Sequence, residues 1–162
     1  MRWDCPAGRE VGCVPGYKVH IGGGVAMFAL TAGLGAWLAE YRATPPQTVL
    51  MGLLAVLGAL FPDVDTASKG RHLYYGAVAL ADAVLLLRGA YKWAAVIGFC
   101  GLLPALGSHR GWTHTWWAML LVPLPIVILP EMFYGVPWKM TLPYYAAFVA
   151  GYLSHLVLDK NF

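Results

Sequence analysis

The sequence predicts an all-α protein, a polytopic membrane helical bundle of about six short transmembrane helices. Of its 162 residues, 59% are hydrophobic and 12% charged, and the mean hydropathy is +0.61. A soluble domain carries roughly a quarter charged residues, so this chain has too little polar surface to cover a water-soluble globule. The apolar residues also gather into runs near the length of a span: at about 1.5 Å rise per residue, roughly 20 residues cross a ~30 Å hydrocarbon core. Charged residues and prolines punctuate those runs. Residues 1–19 form a polar N-terminal arm, with Arg2, Asp4, Arg9, Glu10 and Lys18 and two prolines, unlike the short basic start of a signal peptide. Residues 20–162 form a single membrane-embedded domain.

The first span runs from about His20 to Ala39 and ends at Glu40 and Arg42, where Pro45 and Pro46 prevent its continuation. The second covers about Thr48 to Phe61, is stopped by Pro62, and leads into the polar stretch Asp63 to Arg71. A third, about His72 to Leu87, is interrupted by Asp82 and closed by Arg88 and Gly89. The fourth covers about Tyr91 to Leu106. The loop Gly107 to His114 separates it from a fifth, about Thr115 to Tyr134, which carries Pro123, Pro125 and Pro130. The sixth runs from about Leu142 to Leu158. Several are shorter than about 20 residues, which implies tilt, local thinning or partial burial.

Six crossings put both termini and the second and fourth loops on one side. Arg2, Arg9, Lys18, Lys69, Arg71, Arg110 and Lys160 lie there, against Arg42, Arg88, Lys92 and Lys139 on the other. The basic excess makes the terminal side cytoplasmic. A net charge of +3, dispersed along the chain, argues against a nucleic-acid partner. Cys5, Cys13 and Cys100 lack CxxC spacing and form neither a zinc knuckle nor a disulfide framework; a Cys5–Cys13 disulfide would need an oxidising compartment, which the topology places elsewhere. Gly22, Gly23, Gly24, Gly33, Gly35, Gly98 and Gly101 fall within spans, where small residues let helices approach. Trp112, Trp116 and Trp117 suit an interfacial aromatic belt.

Ionisable residues at membrane depth are costly and usually mark function. Here they gather at one face: His20 opens the first span, Asp63 and Asp65 close the second, His109 and His114 lie in the fourth-to-fifth loop, and His155 and Asp159 close the sixth. Imidazole with carboxylate is the usual ligand set of zinc, manganese or iron. His155 and Asp159 are four apart, so a helix stacks them on one face. Asp63 and Asp65 flank Val64 and point the same way in an extended turn. Gly111 permits the turn that would bring His109 and His114 together. Seven candidate ligands exceed one closed site and imply one to three divalent ions. His72, in what reads as a solvated loop, and Asp82, toward the opposite half, fall outside this set.

The strings Lys18-Val19-His20, Gly58-Ala59-Leu60-Phe61-Pro62-Asp63-Val64-Asp65, His109-Arg110-Gly111-Trp112-Thr113-His114 and Gly151-Tyr152-Leu153-Ser154-His155-Leu156-Val157-Leu158-Asp159 resemble the YdjM-like family. Its members are described as LexA-regulated inner-membrane metal-dependent hydrolases. The resemblance spans about residues 18 to 160 and implies metal ligands at His20, Asp63, Asp65, His109, His114, His155 and Asp159. The arm with Cys5 and Cys13 is longer than the family's usual start.

A bound metal ion would acidify water and offset charge on a phosphoryl oxygen. Arg110, between the two loop histidines, with Lys69, Arg71 and Lys160 on the same face, suits a phosphate better than an amide. Asp65, if free of metal, is a candidate general base. A site at the ends of short spans can take a lipid headgroup while the tail stays in the bilayer. The expectation is a metal-dependent phosphoesterase acting on a lipid-linked or other amphiphilic phosphoester; the alternative is a non-enzymatic metal-binding or metal-transport membrane protein. Asp63-Val64-Asp65-Thr66 fits the DxDxT string of haloacid-dehalogenase phosphatases, but the alternating strand and helix pattern of that fold is absent. The lipid-phosphatase motif SRxxxxxHxxxD fails because position 149 is Val.

Overall fold

The computed structural model describes residues 16–38, 42–64, 69–103 and 112–159. Among them the chain is helical and has no strand: α1 (Tyr17–Leu38), α2 (Pro45–Leu60), α3 (Lys69–Leu87), α4 (Tyr91–Leu102), α5 (Trp116–Leu121), α6 (Pro125–Tyr134) and α7 (Trp138–Leu158). Two 3₁₀ turns, Phe61–Asp63 and Trp112–His114, follow α2 and precede α5.

The boundaries follow local chemistry. Pro45 and Pro46 occupy the first turn of α2, where a missing N–H costs nothing and a fixed φ favours helix. Thr44 caps that turn, its N–H donating to Gln47 Oε1 at 2.8 Å. α3 starts at Lys69, so His72 is an exposed helical residue rather than part of a loop. The fifth span is two helices broken at Val122–Leu124, where Pro123 is buried. Pro130 and Pro143 are accommodated inside α6 and α7. α7 begins at Trp138, earlier than Leu142.

Three segments among the described residues are long and apolar enough to cross a membrane: Tyr17–Trp37, Pro45–Asp63 and Trp116–Tyr134. α3 and α7 have 19 and 21 residues and are less apolar. α4, with 12, reaches only about 18 Å. Apolar side chains such as Leu30, Leu53, Leu80 and Leu121 face outward, as lipid-facing helices require.

The core is the trio α1, α2 and α7, in which α7 packs most extensively on α2. α2 and α7 run parallel, with Ala55 level with Gly151 and Ala59 level with His155. Glycine permits this closeness: a Cβ on Gly151 would overlap the Ala55 carbonyl oxygen, and one on Gly58 would overlap that of Phe148. α1 runs antiparallel to both, with Gly24 against Ala55 and Ala59, and Gly23 against Ser154 and Leu158. Gly22, Gly33 and Gly35 face no neighbour within 4 Å, so these three expected packing glycines are not contacts. In the α3–α4 pair, Gly101 packs on Val78 and Gly98 on Asp82.

Gly151→Ala forces α2 and α7 apart and should lower stability by about 1–3 kcal/mol, the usual range for overpacking. Gly22→Ala meets open space and should stay within about 0.5 kcal/mol of the wild type or gain slightly from helix propensity. Thermal unfolding in detergent checks the pair, and equal shifts in both variants would contradict the close approach.

Candidate metal centre

Five of the seven proposed ligands converge at one end of the trio. Each arrives from a separate cause in the local sequence. His20 lies in the first turn of α1 and is fully buried. Asp63 is delivered by the Phe61–Asp63 turn: Pro62 fixes a helical φ without an N–H, and the Val64 N–H donates to Phe61 O at 3.2 Å. Val64 itself is helical, φ −68° and ψ −22°. Asp63 and Val64 are therefore helical rather than extended, and Asp65, the other half of the expected extended turn, lies outside the described residues. His114 closes the Trp112–His114 turn just before Thr115, whose side chain caps α5 by accepting from the Ala118 N–H at 3.4 Å. His155 and Asp159 lie one turn apart at the end of α7, where the Asp159 N–H donates to His155 O at 3.0 Å. Asp65, His109 and Arg110 lie outside the described residues, as do Cys5, Cys13 and Lys160.

Two overlapping triads result, His20 with Asp63 and His155, and His114 with His155 and Asp159; within each, the ligand atoms lie within 4.8 Å of one another. His155 Nε2 stands 3.3 Å from Asp159 Oδ2 and 3.7 Å from Asp63 Oδ1. His20 Nε2 is 3.4 Å from Asp159 Oδ1 and 3.8 Å from Asp63 Oδ2, and His114 Nε2 is 3.9 Å from Asp63 Oδ1. The rings of His20 and His155 stack at 4.0 Å. Side-chain exposure is 0% for His155 and 24% for Asp63, so the cluster opens to the surface through Asp63.

One hydrogen bond fixes the chemistry of the cluster. His155 Nδ1 lies 2.8 Å from the carbonyl oxygen of Ala59. A carbonyl only accepts, so Nδ1 must carry the proton and donate it. In the neutral ring, Nε2 then presents a lone pair toward two carboxylates. His155 Nε2 and Asp159 Oδ1 are buried and make no hydrogen bond among the described residues. Lone pairs facing carboxylates call for positive charge between them, either a proton or a cation. Burial works against the charge on Asp159, but when the imidazoles carry the positive charge, His155 first and then His20 and His114 outweigh it and hold this carboxyl below the usual carboxylate range. Three imidazoles and two carboxylates fit a zinc, manganese or iron ion.

A second layer that motif reading missed supports the cluster. The Tyr152 hydroxyl donates to the Thr113 carbonyl, and the Thr113 hydroxyl donates to Pro62 O at 3.3 Å. The turn carrying His114 is thereby tied both to α7 and to the turn carrying Asp63. Phe61 anchors the same region, with its ring 5.7 Å from Tyr152, 5.9 Å from Tyr74 and 6.3 Å from Trp112. Trp112 therefore packs inward, whereas Trp116 and Trp117 remain exposed as an aromatic belt requires. Tyr152 precedes His155 by three residues, a helical spacing that could have marked it as a neighbour. The Ala59 carbonyl leaves no mark in the sequence.

Comparison with curated proteins and with solved structures returns no match. Residues 17–160 match the family model described as YdjM inner membrane protein, and they contain the whole cluster. The chain belongs to the YdjM inner membrane protein family.

Proposed function

We propose that this chain is a membrane-bound metal-dependent hydrolase, most specifically a phosphoesterase acting on a lipid-linked or amphiphilic phosphoester, with its site at the cytoplasmic face. The observation that carries this reading is the aim of His155: a main-chain acceptor fixes its tautomer, and its free nitrogen faces two carboxylates in a buried pocket. His20, Asp63, His114, His155 and Asp159 would hold the ion, with His109 and Asp65 as further ligands. When bound, a divalent ion supplies Lewis acidity, which acidifies water and offsets negative charge on a phosphoryl oxygen.

The chain's own residues would do the rest. The Ala59 carbonyl orients His155, and the Tyr152–Thr113–Pro62 relay holds the two ligand-bearing turns in register. Asp63, the most exposed of the five described ligands, would stand where substrate enters. Arg110 would meet the phosphate, and Lys69 on the first turn of α3 adds positive charge at the same face. Asp65, two positions beyond Asp63, would accept a proton as general base where it is not itself bound to the ion. The position of the cluster at the ends of apolar helices supports a substrate whose tail stays in lipid.

Elemental analysis of the detergent-purified protein should find about one to three zinc, manganese or iron ions per chain. His155→Ala and Asp63→Ala should reduce this at least about tenfold. The wild type, loaded with the metal found, should then hydrolyse lipid phosphoesters, and the variants should not. Absence of metal after reconstitution would overturn the centre. Stoichiometric metal without hydrolysis across a phosphoester panel would instead establish the non-enzymatic metal-binding or transport reading.

Tyr152→Phe keeps the ring in the Phe61 cluster and removes only the bond to the Thr113 carbonyl. Metal affinity or turnover should fall about 10- to 100-fold, as when support behind a ligand is lost, with stability down by about 0.5–1.5 kcal/mol. An isothermal metal titration beside thermal unfolding separates the two effects. An unchanged affinity would remove Tyr152 from any positioning role.

A further inference from the structure

The helices that meet at the metal centre part company toward the opposite face. There α1, α2 and α7 enclose an open cavity of about 700 Å³. Phe28 forms the wedge: its ring lies against the flank of Gly52, where a Cβ would come within 3.4 Å, and it holds α1 away from α2 beyond the tight contacts of Gly23 and Gly24. Ala32, Met51, Leu142 and Ala146 give the cavity apolar walls. Its two threonines offer no free hydroxyl proton, since Thr31 Oγ1 donates to Met27 O at 2.8 Å and Thr48 Oγ1 to Thr44 O at 3.1 Å.

Among the described residues the lining has one charged group, Arg42, which is exposed between α1 and α2. Among the described residues no carboxylate pairs with it. Trp37 and Trp138 are exposed at the same end of the bundle, as indole rings at the headgroup level would be. An apolar slot of this size, opening at headgroup depth beside a guanidinium, complements a molecule with a hydrocarbon tail and an anionic phosphate.

We propose that the cavity seats an acyl chain of an anionic glycerophospholipid whose headgroup phosphate lies against Arg42. The tail would cover the apolar walls of α1, α2 and α7, while the planar guanidinium would take two phosphate oxygens in a bidentate contact. This seat is remote from the metal centre and stands independently of the hydrolase reading.

Native mass spectrometry of the full-length protein, titrated with dioleoyl phosphatidylglycerol or dioleoyl phosphatidylcholine, tests it with identical tails and different headgroup charge. The wild type should bind the phosphatidylglycerol at least about fivefold more tightly, the order expected for one basic residue at a lipid surface. Arg42→Gln should abolish that preference and Arg42→Lys should keep part of it. Gly35 lines the cavity with nothing within 4 Å of its Cβ position. Gly35→Leu should therefore weaken both lipids, with metal content unchanged. Equal binding of the two lipids by the wild type, or a preference that survives Arg42→Gln, would overturn the headgroup contact. Unchanged binding in Gly35→Leu would overturn the seat of the tail.

Discussion

The close approach of α2 and α7 is the constraint on which the rest of the structure depends. Gly58 and Gly151 place each helix against the other's carbonyl oxygens, and one turn further along, that same proximity brings His155 Nδ1 to the Ala59 carbonyl. In lipid no hydrophobic force pulls helices together; packing and interhelical hydrogen bonds must do so. The His155–Ala59 bond is thus both a product of the glycine contact and a contributor to it. It also sets the chemistry of the cluster, because the proton committed to Ala59 leaves Nε2 facing Asp63 and Asp159. A side chain larger than glycine at position 151 would disturb packing, tautomer and ligand aim together, although residue 151 touches no ligand atom.

Charge makes the same point from the other direction. Two carboxylates, Asp63 and Asp159, sit among three imidazoles in a pocket where Asp159 is only 6% exposed. A buried Asp159 charge with a second carboxylate, the partly exposed Asp63, beside the same imidazoles would be unfavourable without compensation. Protonating the histidines would supply compensation, but it would put positive charge on the His20 and His155 rings, which stack at 4.0 Å. A single divalent cation would balance both carboxylates while leaving the imidazoles neutral, and it would take the lone pair of His155 Nε2. That solution would satisfy the stacked rings and the His155 tautomer at once, which is what favours the metal proposed for the cluster over a network of protons.

Much of this arrangement was legible in the sequence, for reasons tied to particular residues. Spanning helices alternate in direction, so His20, Asp63, His114, His155 and Asp159 had to share a face if the spans were real. The four-residue spacing of His155 and Asp159 fixed their common helix side. Other features were hidden because they depend on register between helices. Glycines in segments that are apolar all round carry no facing signal, so Gly22, Gly33 and Gly35 looked equivalent to Gly23 and Gly24, while the tightest contacts fell at Gly58 and Gly151. The proline-rich fifth span announced a break without locating it at Val122–Leu124. A carbonyl acceptor such as Ala59 is invisible to any motif, since every residue has one.

The two ends of the α1–α2–α7 trio follow from one geometric trade. Gly23 and Gly24 let α1 lie against α7 and α2 near His20, so the site end closes. Phe28, little more than one turn on, is too large to continue that contact and fits only because Gly52 yields space for its ring. Helices pinned at one end and propped apart in the middle must diverge at the other, so the cavity bordered by Arg42 is the geometric complement of the closed His/Asp cluster. The closed end immobilises buried polar groups, which is what a preorganised cluster requires. The open end can admit hydrocarbon without disturbing it, because the wedge at Phe28 and the glycine contacts behind it separate the two regions along the same helices.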